Sequence, residues 1–178
     1  MKAKAKAARL LEDRKVLEQI IFPTYASDPA IRTVLFVGCD FYTEHYGREH
    51  FADHTFWTLE PDLSRKRFGA PLHVTGRVEQ LGQYFSPGLF DLIVCNGVYG
   101  WGLDRADDCE QAFAHCHACL AVGGHLLLGW NDMPRLDPVP LRAVRNLELF
   151  IPYEFPPLGT AKFLTKTFYR HTYWFFRK

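Results

Sequence analysis

Five short apolar runs, each closed by glycine or a polar pair, alternate with helix-compatible stretches and restrict this chain to a layered strand–helix architecture. The first, Thr33-Val34-Leu35-Phe36-Val37, shows no polar alternation, as a strand buried on both faces of a parallel sheet requires. The others are Thr55 to Leu59, Leu72 to Thr75, Phe90 to Cys95 and His125 to Trp130. Between the fourth and fifth runs lies the clearest helix, about Ala106 to Ala121. There Cys109, Ala112, Phe113, Cys116, Cys119 and Leu120 form one apolar stripe, and Val122-Gly123-Gly124 then turns the chain into the next strand. Strand–helix–strand units of this kind make right-handed crossovers in a parallel sheet.

The flanks are predicted from the same signals. Residues 1–22 read as an N-terminal helix stopped by Pro23, and 43–51 as a short helix interrupted by Gly47. Residues 139–150 read as a further helix, after which Pro152, Pro156 and Pro157 break regularity. The aromatic and β-branched segments 162–168 and 172–177 pair as an antiparallel hairpin closing the sheet edge. The aromatic tail is either edge-sheet core or, through Tyr153, Phe155 and Phe163, a wall of an acceptor pocket.

A length of 178 residues suits one domain, with a core over 32–132 and a C-terminal part over 139–178. With 48% hydrophobic and 23% charged residues the chain is neither disordered nor fibrous. A formal net charge of +1 gives no reason to expect a nucleic-acid partner. No apolar run reaches the roughly 18–20 residues that cross a bilayer, and the basic N-terminus lacks the apolar stretch of a signal peptide. A soluble cytoplasmic protein without a membrane partner is expected, and its five cysteines are not expected to form a disulfide framework.

In an open parallel sheet, ligands sit beyond the carboxyl ends of the strands. The informative residues cluster at those ends: Gly38-Cys39-Asp40, Glu60-Pro61-Asp62, Gly76-Arg77-Val78, Asn96-Gly97-Val98 and Asn131-Asp132. Glu60 follows Gly38 by about 20 residues, the spacing at which an acidic strand end accepts both hydroxyls of a ribose. A dinucleotide needs glycine where Asp40 stands, and a carboxylate would repel its pyrophosphate. S-adenosylmethionine carries no phosphate, and its amino group suits Asp40.

The segment Val34-Leu35-Phe36-Val37-Gly38-Cys39-Asp40 resembles the first motif of class I S-adenosylmethionine-dependent methyltransferases, and Thr58-Leu59-Glu60-Pro61-Asp62 resembles the second. Gly76 to Leu81 is similar to the segment of that family that flanks adenine. Phe90 to Val98 is similar to its fourth strand, Cys119 to Leu126 to its glycine turn, and His171 to Lys178 to its last strand. Phe36, Asp40, Tyr42 and Arg77 depart from the pattern.

The resemblance implies an α/β Rossmann-like methyltransferase fold: a mostly parallel sheet of order 3-2-1-4-5, an antiparallel C-terminal edge, and helices on both faces. It implies that Val37, Gly38, Cys39 and Asp40 carry the methionine end of S-adenosylmethionine, with Glu60 and Pro61 at the ribose. Arg77 and Val78 then flank adenine, and Asn96, Gly97 and Val98 line the floor near the sulfonium. The activity implied is methyl transfer to a small-molecule or sugar-like acceptor with S-adenosylhomocysteine as product. The alternative is a catalytically inactive binding or structural module.

Three residues are candidates for catalysis. His45 is the first general-base candidate and Asp132 the second. Tyr99, with Tyr42 and Trp101, is placed to offer an aromatic face to the sulfonium. No metal site is expected. In His115-Cys116-His117-Ala118-Cys119 the thiols lie on the helix's apolar stripe, and His45, His50 and His54 form only a loose cluster.

Overall fold

The computed structural model describes residues 12–136 and 139–178. The part of the predicted N-terminal helix over 1–11 lies outside the described residues.

Eight strands form one sheet: β1 (Thr33–Val37), β2 (Thr55–Glu60), β3 (Leu72–Thr75), β4 (Phe90–Asn96), β5 (Leu120–Asn131), β6 (Ile151–Pro152), β7 (Lys162–Leu164) and β8 (His171–Arg177). Their order is β3-β2-β1-β4-β5-β8-β6, with β7 also paired to β8. The first five strands run parallel to their neighbours, and β8 lies antiparallel along β5 from His125↔Arg177 to Asn131↔His171. This is the 3-2-1-4-5 order with an antiparallel extension. The apolar runs without alternation are central strands, as covering both faces of a parallel sheet demands.

Alternate residues of those strands feed two cores. Leu35, Val37, Ile93, Cys95, Leu126 and Leu128 pack on one face, where α4 (Ala106–Cys119) contributes Cys109, Ala112, Phe113, Cys116 and Cys119. Val34, Phe36, Leu92, Val94, Leu127, Tyr173 and Phe175 pack on the other, beneath α1 (residues 12–27) and α2 (Tyr46–His50). Phe36, one of the departures from the motif, packs against Tyr46 and Phe56. A further helix, α3 (Leu81–Tyr84), follows a 3-10 turn over Val78–Gln80. The cysteine stripe is core, and burial holds the Cys109, Cys116 and Cys119 thiols above their ordinary range.

Four expectations need correction. Pro23 does not end the first helix, which continues to Ser27. A π-helical turn, Leu17–Ile21, precedes the proline and interrupts the normal ladder, so the missing N–H costs little there. One residue past the proline, the Thr24 hydroxyl donates to Ile20 O at 2.7 Å. The short helix predicted over 43–51 occupies only Tyr46–His50, preceded by turns.

Residues 139–150 are not a helix but two 3-10 turns, Leu141–Ala143 and Arg145–Leu149. Their buried residues, Leu141, Val144, Leu147 and Phe150, recur every third position, which matches the 3-10 period and not 3.6. The Glu110 carboxylate accepts from the amides of Arg145 and Asn146, tying this backbone to α4. At the C-terminus, β7 and β8 do pair antiparallel, but β8 is interior to the sheet, with β6 and β7 sharing its outer edge. Phe155 stacks on Phe175, and Tyr153 and Phe163 pack on the same core, so these aromatics are sheet core and not a pocket wall.

Truncating Leu127, fully buried at the middle of β5, to alanine should lower unfolding free energy by about 2–5 kcal/mol. Val122→Ala, at a side chain 96% exposed in the same strand, should change it by less than about 0.5 kcal/mol. Urea denaturation of both variants checks the contrast.

Candidate active site

The strand order reverses beside β1, which lies between β2 and β4. Gly38 has φ of +90°, a conformation unfavourable for residues with a Cβ, and its N–H donates to Leu59 O at 2.8 Å. A Cβ there would also stand 3.1 Å from Val98 Cγ2. Glu60, the last residue of β2, is 6% exposed. Its Oε2 accepts from the Cys39 amide at 3.0 Å and its Oε1 from the Asp62 amide at 2.9 Å. Each carboxylate oxygen keeps a second lone pair, so the group can still receive a vicinal diol.

Around these strand ends lies a cavity of about 590 Å³, within the usual size of a small-ligand site. Val37, Gly38, Cys39, Asp40, Glu60, Pro61, Arg77, Val78, Asn96, Gly97 and Val98 all line it. Asp40 is partly engaged, since Oδ1 accepts from Phe41 N at 2.7 Å and Oδ2 lies 3.4 Å from Arg65 Nη1. Arg77 pairs through Nε with Glu79 and donates from Nη2 to Gly102 O at 3.2 Å. Burial pushes the Cys39 thiol up to about 12, so it is no thiolate nucleophile at neutral pH.

The three predicted catalytic residues are not on this wall. His45 faces Glu18 of α1, because the turn after β1 carries it onto the helical layer. Tyr99 is buried in the α4-side core, with its hydroxyl donating to Val139 O, so its ring is core packing. Asp132 lies past the end of β5, where its amide donates to Arg170 O. Tyr42 and Trp101 do line the cavity, Tyr42 beneath the Arg14 guanidinium at 4.4 Å and Trp101 61% exposed.

Other wall residues have no sequence signal near the motifs. Asp13 and Arg14 come from α1, and Thr167, Phe168, Tyr169 and His171 from the loop into β8. His171 sits between two asparagines, with Nε2 2.9 Å from Asn96 Oδ1 and Nδ1 2.8 Å from Asn131 Oδ1. Burial, helped by the Arg14 charge, lowers its pKa to about 3, so the ring is neutral. A neutral imidazole has one N–H and one lone pair, so one of the two asparagines must present its amide nitrogen. Gly129 makes this arrangement possible, since a Cβ there would lie 1.9 Å from Asn96 Oδ1. The signal that could have found His171 is its place beside strand ends β4 and β5, which depends on how β8 pairs.

Comparison with solved structures identifies the architecture. N-methyltransferase NodS from Bradyrhizobium japonicum WM9 superimposes with a TM-score of 0.68 at 16% identity, covering 93% of this chain and 96% of that one. The fold is the Rossmann-like methyltransferase fold. The same protein in complex with S-adenosyl-L-homocysteine gives a TM-score of 0.66 at 15% identity over 99% and 97% of the two chains. A TehB-like SAM-dependent methyltransferase from Corynebacterium glutamicum gives 0.62 at 18% identity over the whole of both. No family model and no curated protein matches the sequence. Among the described residues, no helix of this methyltransferase-like fold is long and apolar enough to cross a membrane.

The depressed His171 pKa has a sign that can be tested. Unfolded histidine titrates near pH 6.5, so acid favours the unfolded chain as pH falls from about 6.5 toward 3. Between pH 8 and pH 5 this residue should remove about 2 kcal/mol of stability. Replacing it, His171→Gln, should flatten that acid limb, as read from urea midpoints at the two pH values.

Proposed function

We propose that this protein is an S-adenosylmethionine-dependent methyltransferase acting on a small-molecule or sugar-like acceptor. The observation that carries this reading is the Glu60 carboxylate at the end of β2, braced by the Cys39 and Asp62 amides and facing a cavity beside a left-handed glycine. Gly38 and Gly97, both with positive φ and both on the cavity wall, leave room for a ligand to approach backbone. The relatives in fold are methyltransferases, one of them holding S-adenosyl-L-homocysteine.

In this reading Glu60 receives the ribose hydroxyls, with Pro61 beside it. Arg77 and Val78 border the adenine, and Val37 to Asp40 border the methionine end, with Asp40 balanced between Arg65 and the amino group. The cofactor supplies a methyl carbon already activated by the sulfonium. Transfer to an acceptor lone pair would be a displacement at that carbon, with sulfur keeping the electron pair of the broken bond. The chain's task is alignment and exclusion of water, effects worth up to about 7–11 kcal/mol. Asn96, held by neutral His171, keeps a fixed amide dipole at the floor.

The acceptor would meet Arg14, Tyr42, Phe168 and Tyr169. Asp13 stands on the same side, and burial holds its carboxyl above the ordinary range, which suits it to take a proton from an acceptor that must lose one. A cavity of this size and a net charge of +1 favour a small acceptor over a polyanion.

Isothermal titration with S-adenosylhomocysteine tests the reading. Wild type should bind one equivalent, and Glu60→Ala should weaken binding about 10–100-fold, since charged hydrogen bonds contribute about 1.5–3 kcal/mol each. No heat and no thermal shift at millimolar ligand would leave a methyltransferase-like scaffold without the enzyme.

A further inference from the structure

A second polar cluster lies off the cavity, with both of its imidazoles packed on the Tyr46 ring. Glu18 comes from the π turn of α1, His45 stands at the N-cap of α2, and His50 is the last residue of α2. One carboxylate oxygen and one nitrogen from each imidazole lie within 4.8 Å of one another. His45 Nε2 is 3.6 Å from Glu18 Oε1, and the two side chains are only 12% and 11% exposed. This nitrogen is shut off from solvent and makes no hydrogen bond, a state that ordinarily costs about 1–3 kcal/mol. Nor does the His45 side chain cap its helix.

We infer that Glu18, His45 and His50 form a binding site for a divalent zinc-class metal ion. The donor set is two imidazoles and one carboxylate, which suits a borderline transition metal and not calcium or magnesium. At bond lengths of about 2.1 Å, neighbouring ligand atoms of a tetrahedral ion stand about 3.4 Å apart, close to the His45–Glu18 separation. With all three ligand atoms within 4.8 Å of one another, the widest pair would have to close by at most about 1.4 Å to reach that edge.

The surroundings hold the ligands in place, as the groups behind metal ligands do. The Tyr46 ring packs edge-on against His45 at 4.7 Å, and Phe22 packs on His50 at 5.3 Å. The Tyr46 hydroxyl hydrogen-bonds the Glu18 carboxylate and also receives Arg14. Local π turns recur at functional sites, and this one carries the acidic ligand.

The site is enclosed, so a bound ion serves structure: it pins α1 to the segment following β1. Because α1 also carries Arg14 to the cavity wall, the ion would fix one boundary of the acceptor side. This inference does not depend on the proposed methyl transfer.

The test uses the full chain stripped with a chelator and titrated with Zn²⁺ alone, in competition with a chromogenic chelator. One equivalent should bind, with a rise in Tm, and Co²⁺ in its place should give visible d–d absorption. His45→Ala and Glu18→Gln should each weaken Zn²⁺ binding by at least tenfold. The isosteric Glu18→Gln keeps the test valid if His45→Ala does not fold. Failure of wild type to bind an equivalent at micromolar Zn²⁺, or undiminished binding in folded Glu18→Gln, would overturn the site.

Discussion

The ends of β1 and β2 are joined by one carboxylate. Glu60 takes the amide of Cys39 on one oxygen and that of Asp62 on the other, and thereby sets the path of both loops that leave the sheet. A buried carboxylate without such donors would be expensive, so the loops and the charge stabilise each other. The left-handed Gly38 lets the first loop turn back toward Glu60, and Val98 closes the space that a side chain would need. The cavity is the volume left over this joint.

The opposite end of the cavity is organised by a different arrangement. His171 bridges Asn96 and Asn131, so the ends of β4, β5 and β8 share one hydrogen-bonded row. The row exists because β8 inserts antiparallel beside β5 and because residue 129 has no side chain. A carboxylate-braced side and a neutral amide–imidazole floor therefore meet across one cleft. Arg14, stacked on Tyr42 and bonded to Tyr46, connects that cleft to the Glu18–His45–His50 cluster behind it.

Much of the sheet was legible because strands buried on both faces have little freedom in composition. The runs at 33–37 and 72–75 coincide with β1 and β3, and the polar ends of the central strands mark the cavity's mouth. Where the periodicity was short or ambiguous, packing chose. The 139–150 segment has an apolar period of three, and Glu110 takes up backbone amides at Arg145 and Asn146. Pro23 reads as a stop only if the helix before it is regular, and a π turn removed that premise. His45 and Tyr99 looked available from their loop positions, yet the turn after β1 and the core against α4 took them elsewhere.

By itself, the sequence determined the alternation of strands and helices and the set of small and acidic residues at the strand ends. Both follow from local rules: side-chain periodicity, and the restricted backbone that glycine alone adopts easily. Only the tertiary structure decided which distant side chains share a space. His171 meets Asn96, and Arg14 lines the same cavity, because α1 and β8 pack onto strands far from them in the chain, and placements of that kind leave no periodic trace in the order of residues.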